Sequence, residues 1–226
     1  ATEGTKGTVK KCSRRDISYV VSKKEHGATT VAGTLAIANL FGYIDIFVTG
    51  GIGGVHRDFA GSMDISADLF ELSQTSVAVV CSGPKAILDL PRTREYLETT
   101  GVTVVGYRCN EMPAFWARSS GLQVDCRVEN ASEVADIINA RGRLGISGAV
   151  LVCNPVRPDL AIDKERIECW IRSCEKNAPN GSAATPWLLA QIAKLSCGLS
   201  LKANKQLIID NAALAAEIAS NFDMEV

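Results

Sequence analysis

Histidine is scarce, with only His26 and His56 in 226 residues, and no two of the eight cysteines fall in a CxxC spacing. A structural zinc cluster needs closely spaced thiolate and imidazole ligands, so none can be built. Cys81, Cys126 and Cys153 lie inside apolar runs, where a thiol acts as a small buried hydrophobe. With Cys12, Cys109, Cys169, Cys174 and Cys197 they read as the reduced cysteines of an intracellular, cytoplasmic protein. Charge of one sign is also missing. Against 24 Lys+Arg stand 25 Asp+Glu, a net −1, which excludes the footprint of a nucleic-acid partner. No long uninterrupted apolar run exists. The most apolar stretch, Val31 to Val55, is broken by Thr34, Asn39, Asp45 and several glycines, so a membrane span is excluded. No signal peptide is visible, although the chain opens with Ala-Thr-Glu-Gly, which leaves organelle targeting open.

What is present is core-forming material. A hydrophobic content of 46% rules out disorder, and 19 Gly with 7 Pro rule out a coiled coil. Five β-rich runs recur: Ile44–Val48, Val77–Cys81, Val102–Gly106, Val124–Val128 and Ala149–Cys153. Helical composition fills the gaps at Thr29–Phe41, Ser66–Ser73, Pro91–Thr99 and Ser132–Gly145. Continuous apolar strands alternating with helices predict a mostly parallel sheet covered on both faces, an α/β/α sandwich. Val124–Val128 is mixed in polarity and fits an edge. After Cys153 the pattern is helical, at Asp163–Lys176, Thr185–Ser196 and Ser200–Phe222. Asp163 is the expected N-cap of the first, and Thr185-Pro186 the cap and first turn of the second. The turn residues of Asn177–Thr185 predict a surface loop. Neither a repeat nor a long linker divides residues 1–226, so one domain is expected.

The chemistry concentrates in Val48–Leu69, VTGGIGGVHRDFAGSMDISADL. Four glycines after a strand let backbone N–H groups approach an anion, and His56 and Arg57 add charged donors. A plain strand-to-helix loop satisfies the same glycines. The spacing is neither a Walker loop nor a dinucleotide fingerprint, and Glu71 sits on a helix rather than at a strand end, so a nucleotide oxidoreductase is discounted. Asp64 is a candidate ligand for a hard cation, and Ser66 either caps a helix or helps hold a phosphate at its N-terminus. Lys85 lies just past an apolar strand, where a partly buried amine turns nucleophilic, or is simply an exposed loop lysine. Lys10–Asp16 is basic and leads into a helix that Ser13 or Asp16 can cap, and Thr29-Thr30-Val31 opens another.

In order along the chain, KCSRRD (11–16), GATTVA (27–32), TGGIGGVHR (49–57), DISADL (64–69) and KAILD (85–89) resemble one family, the pseudouridine-5′-phosphate glycosidases, also described as indigoidine synthase A-like. EYLET (95–99), PAF (113–115), Asn154-Pro155, TPWLLA (185–190) and SLKAN (200–204) extend the resemblance over nearly the whole chain. It implies an α/β/α fold, a homotrimer and Mn²⁺. It further implies reversible cleavage of pseudouridine 5′-phosphate, a small-molecule phosphosugar nucleotide, to uracil and ribose 5-phosphate. By motif position Lys85 would form the Schiff base and Asp64 would hold the metal. Lys11, Val31, Ser66, Ala67 and Asp68 fall on substrate-binding positions, and Thr30, Thr49, His56 and Asn204 are expected to line the site. A C–C glycosidic bond has no heteroatom leaving group, so the two-carboxylate scheme of other glycosidases does not serve.

Three departures stand out. The family's general-acid glutamate lies before the basic cluster, and nothing around Glu3 matches its motif. A truncated sequence, a homologue that binds phosphosugar yet turns over poorly, or one part of a fusion with a sugar kinase are the alternatives this opens. Asp58–Ser62 replaces a small Gly-Ala stretch and is expected to alter a loop lid, and Pro84 is expected to stiffen the approach to Lys85.

Overall fold

The computed structural model describes residues 9–42, 44–179 and 183–222. Glu3 lies outside them, as do residues 180–182 of the expected loop. The chain begins with β1 (Lys10–Cys12), α1 (Arg14–Lys23), β2 (Gly27–Thr29) and α2 (Val31–Phe41). Next come β3 (Ile46–Val48), the short α3 (Phe59–Ser62), α4 (Ala67–Gln74) and β4 (Ala78–Cys81). Helix α5 (Leu90–Thr99), β5 (Thr103–Tyr107), β6 (Cys126–Val128), α6 (Ala131–Arg143) and β7 (Val150–Cys153) complete the sheet region. Helices α7 (Lys164–Glu175), α8 (Ala184–Leu195) and α9 (Leu199–Ala219) follow.

Five strands form one parallel sheet in the order β3-β4-β7-β5-β6, with β6 at an edge as its mixed sequence predicts. Alternate residues serve opposite faces. Val79, Cys81, Val104, Leu151 and Cys153 pack against Leu35 of α2, Leu69 and Leu72 of α4, and Leu97 of α5. Ala78, Val80, Val105, Val150 and Val152 pack against Val134 and Ala135 of α6 and Leu214 and Ile218 of α9. Both faces are therefore apolar, which is why the strands read as continuous runs rather than as alternations. The result is the expected α/β/α sandwich. A third cluster, built on Trp116, gathers Ile167 and Ile171 of α7, Ile192 of α8 and Leu207 of α9 against Ala86–Leu88, just past β4.

Several boundaries differ from expectation. The parallel pair β1–β2 is new, because three-residue strands carry too little pattern to show. Ser13 and Asp16 both cap α1, in a reciprocal capping box. Helix α8 starts one residue early, at Ala184, so Thr185 and Pro186 lie inside its first turn, where backbone N–H groups have no helical partner to lose. Helix α9 ends at Ala219 rather than Phe222. Among the described residues no helix is long and apolar enough to cross a membrane.

Candidate active site

Strands β3 and β4 end side by side, and their continuations stay paired. Ser82 N–H donates to Gly50 O at 3.0 Å, Ile52 N–H to Gly83 O at 3.1 Å, and Lys85 N–H to Ile52 O at 3.1 Å. The glycine loop and the turn before Lys85 thus form one hydrogen-bonded unit past the carboxyl end of the sheet. Pro84 joins it through a bridge to Ile52 and fits because its missing N–H is not needed there. Gly83 has φ +82° and would bring a Cβ to 2.0 Å from Pro113 O, so no other residue fits the turn.

Asp68 fastens this unit to two helices. Its carboxylate, 4% exposed, accepts from Gly53 N–H at 2.8 Å with one oxygen and from Ala32 N–H at 2.9 Å with the other. Ser66 caps α4 by accepting from Asp68 N–H at 3.3 Å, and a Cβ on Gly53 would meet Ser66 Oγ at 2.2 Å. Lys85 is the expected amine. Burial pushes its ammonium below the ordinary lysine range, the Asp68 carboxylate opposes that shift, and the charge of Lys11 adds to it. Lys11 and Asp68, both singled out from sequence, therefore lie within electrostatic reach of Lys85.

The remaining candidates are held by contacts of their own. Thr30 caps α2, its hydroxyl accepting from Gly33 N–H at 3.2 Å, and its own N–H donates to Cys12 O at 2.8 Å beside Lys11. Val31 opens that helix and exposed Ala67 opens α4. Thr49 continues β3, donating its N–H to Val80 O at 3.0 Å. His56 Nδ1 faces Asp64 Oδ2 at 3.8 Å, with 35% of the Asp64 side chain exposed. Asn204, on α9, accepts from Trp116 Nε1 at 2.7 Å, which leaves its NH₂ as the donor group. Trp116 in turn meets Phe115 at 5.2 Å between ring centroids, and Phe115 lies over Gly50 and Gly51.

Two expectations need correction. The N–H groups of Ile52, Gly53, Val55 and His56 go to Gly83 O, Asp68, Thr93 Oγ1 and Asp64 O, so this part of the glycine loop turns its donors inward instead of cradling an anion. Arg57 is not a phosphate donor. It makes a bidentate pair with Glu168 at 2.7 and 2.8 Å and reaches the carbonyls of Ala86 and Ile87, bracing the lysine turn from behind. A cavity of about 330 Å³ beside it is lined by Arg57, Ala86, Leu88, Asp89, Lys164 and Glu168 among others, and apart from Arg57 none of the expected site residues borders it. The sequence reading overlooked Thr93, whose hydroxyl holds Val55 N–H at 3.0 Å, and Asn211 of α9. A signal for the second existed. Asn211 stands at an apolar-periodic position, seven residues after Asn204 and between Leu207 and Leu214.

A sequence profile of the family described as indigoidine synthase A-like protein matches residues 2–221. The chain belongs to that family. Relatives in it include a pseudouridine-5′-phosphate glycosidase of Geobacillus kaustophilus, 49% identical over 96% of this chain and 73% of its own length. Another of that name, from Caldanaerobacter subterraneus, is 50% identical over 96% of this chain and 71% of its own. Among solved structures, an indigoidine synthase A-like protein of Thermotoga maritima superposes with a TM-score of 0.88 at 38% identity, covering 94% of this chain and 70% of that one. The prealnumycin C-glycosynthase AlnA, solved with ribulose 5-phosphate, gives 0.88 at 36% identity over 96% of this chain and 72% of its own. Of the segments that carry the sequence resemblance, TGGIGGVHR, KAILD and Asn154-Pro155 follow the carboxyl ends of the neighbouring strands β3, β4 and β7.

Proposed function

We propose that the protein reversibly cleaves the C–C glycosidic bond of pseudouridine 5′-phosphate, giving uracil and ribose 5-phosphate through a Schiff base on Lys85. The observation that carries this reading is the half-buried Lys85, fixed just past β4 by its N–H bond to Ile52 O, its ammonium pushed below the ordinary lysine range by desolvation and within electrostatic reach of Asp68 and Lys11. The curated relatives named for that glycosidase activity support it.

Lys85 suits the covalent steps. Opening of the ribose breaks C1′–O4′ and Lys85 Nζ bonds to C1′, the proton that the amine gives up ending on O4′ as its hydroxyl. Once uracil C5 is protonated, the C1′–C5 bond breaks and its electron pair returns to the uracil ring. The Nζ lone pair then forms the C1′=N imine, which water hydrolyses to ribose 5-phosphate and the free amine. A lowered Lys85 pKa supplies neutral amine for the first bond. Lys11, Thr30, Val31 and the Ser66–Asp68 segment would hold the phosphosugar, two of them at the opening of α2, where helix N–H groups favour an anion. His56, Thr49 and the Asn204 amide would border the base. A hard cation such as Mn²⁺ would be held by Asp64, a partly exposed carboxylate with room for water ligands, although among the described residues no group of three acidic, His or Cys ligands gathers there or elsewhere. When bound, such a cation would supply fixed positive charge and ordered water.

Borohydride trapping with ribose 5-phosphate and peptide mapping tests the reading. An adduct on Lys85 is expected; an adduct on another lysine, or none, removes it. AlnA favours a second reading, in which the same lysine works mainly to form a C-glycosidic bond with another acceptor. Measured uracil release from pseudouridine 5′-phosphate separates the two.

A further inference from the structure

Asn211 is a polar residue at a position where an apolar one would pack. It is fully buried, at 0% exposure, on the face of α9 that carries Leu207, Leu214 and Ile218 into the protein. A buried amide lowers stability unless all its groups are bonded, so its partners identify its role. Nδ2 donates to Thr49 O at 2.9 Å, and Oδ1 accepts from Asn154 Nδ2 at 3.0 Å. Ser82 Oγ lies 3.2 Å from Nδ2. Thr49 O can only accept, which fixes the amide's orientation. Thr49, Ser82 and Asn154 are the residues immediately after β3, β4 and β7, three neighbouring strands. Thr49 opens the glycine loop and Ser82 opens the turn that ends at Lys85. One side chain thus joins the two halves of the site at their origin, through a helix that packs across the sheet.

We propose that Asn211 is a positioning residue that sets the glycine loop and the lysine turn in one arrangement, so that Lys85 meets the sugar carbon in line. This rests on the proposed function for its chemical consequence but not for its structural one. The test uses the whole chain and three variants, Asn211→Ala, Asn211→Leu and Ser82→Ala. Two readouts apply: amide hydrogen exchange over residues 49–54 and 82–86, and the rate of borohydride-trapped ribose 5-phosphate adduct at saturating sugar. Asn211→Ala and Asn211→Leu are expected to exchange faster in those two segments and to lose about tenfold or more in maximal adduct rate. The half-saturating sugar concentration should move by less than about threefold. Ser82→Ala should act in the same direction with a smaller effect, and it decides the matter if the Asn211 variants do not fold. Folded variants whose two segments exchange as in the parent, or whose adduct rate is preserved despite general loosening of α9, overturn the inference. Should the parent form no adduct, the functional reading falls, and the exchange data alone then decide the role of Asn211.

Discussion

The lysine turn packs on the glycine loop and the segment carrying His56 and Asp64 continues from it, and the two are built in opposite ways. Ser82, Gly83 and Pro84 are buried and locked by backbone bonds to Gly50 and Ile52, with Arg57 and Glu168 behind them. Residues 58–63 are mostly exposed. They form only the single turn of α3, and Met63, 77% exposed, ends it at φ +52°. The contrast follows from the chemistry proposed for each. A covalent nucleophile must be desolvated and aimed before substrate arrives, whereas a carboxylate serving a hydrated cation needs access to water. The Asp58–Ser62 departure falls wholly in the open segment, and Pro84 wholly in the rigid one.

The strongest challenge to this contrast is Lys85→Ala. It should abolish the sugar adduct and lower uracil release by at least about 10³-fold, and a variant that keeps turnover would show that the rigid half holds no nucleophile. Next comes Asp68→Asn. One amide nitrogen would then face a backbone N–H donor at Gly53 or Ala32, so denaturant unfolding should report a loss of about 1.5–3 kcal/mol. A loss under about 0.5 kcal/mol would mean that Asp68 does not tie the loop to α2.

Lys11→Met sharpens the electrostatic side. The Lys11 charge helps hold the Lys85 ammonium below its usual range, so removing it should raise the Lys85 pKa. The neutral amine then appears at higher pH, and the pH profile of adduct trapping should move to the alkaline side with a slower rate below its midpoint. A profile that stays in place or moves to lower pH contradicts the placement of Lys11. The smallest effect on the fold is expected from Asp64→Ala. Stability should change by no more than about 0.5 kcal/mol, while Mn²⁺ titrations followed by electron paramagnetic resonance should lose their bound fraction. Large destabilisation with metal affinity retained would reverse the assignment of this segment.

Much of the architecture was legible because parallel strands covered on both faces leave continuous apolar runs such as VAVVC and AVLVC. Lys85 drew notice for a related reason, since it lies just past one of those runs, but its proposed role came from the motifs shared with a family. Arg57 misled, because an arginine beside four glycines looks like an anion ligand until Glu168, 111 residues away in sequence, takes its guanidinium. The glycine-loop amides misled in the same way, as their acceptors Gly83 O and Asp68 are non-local. Asn211 was overlooked because its partners come from three strand ends far from it in sequence.

Composition and the spacing of apolar residues were enough to determine the sandwich, because burial on a strand or helix face is written in local periodicity, whereas Lys85 and Asp64 were marked by the motifs they share with a family. Which donor faces which acceptor was decided only when the chain closed, since hydrogen bonds such as Asn211 to Thr49 and Arg57 to Glu168 depend on positions that no local pattern encodes.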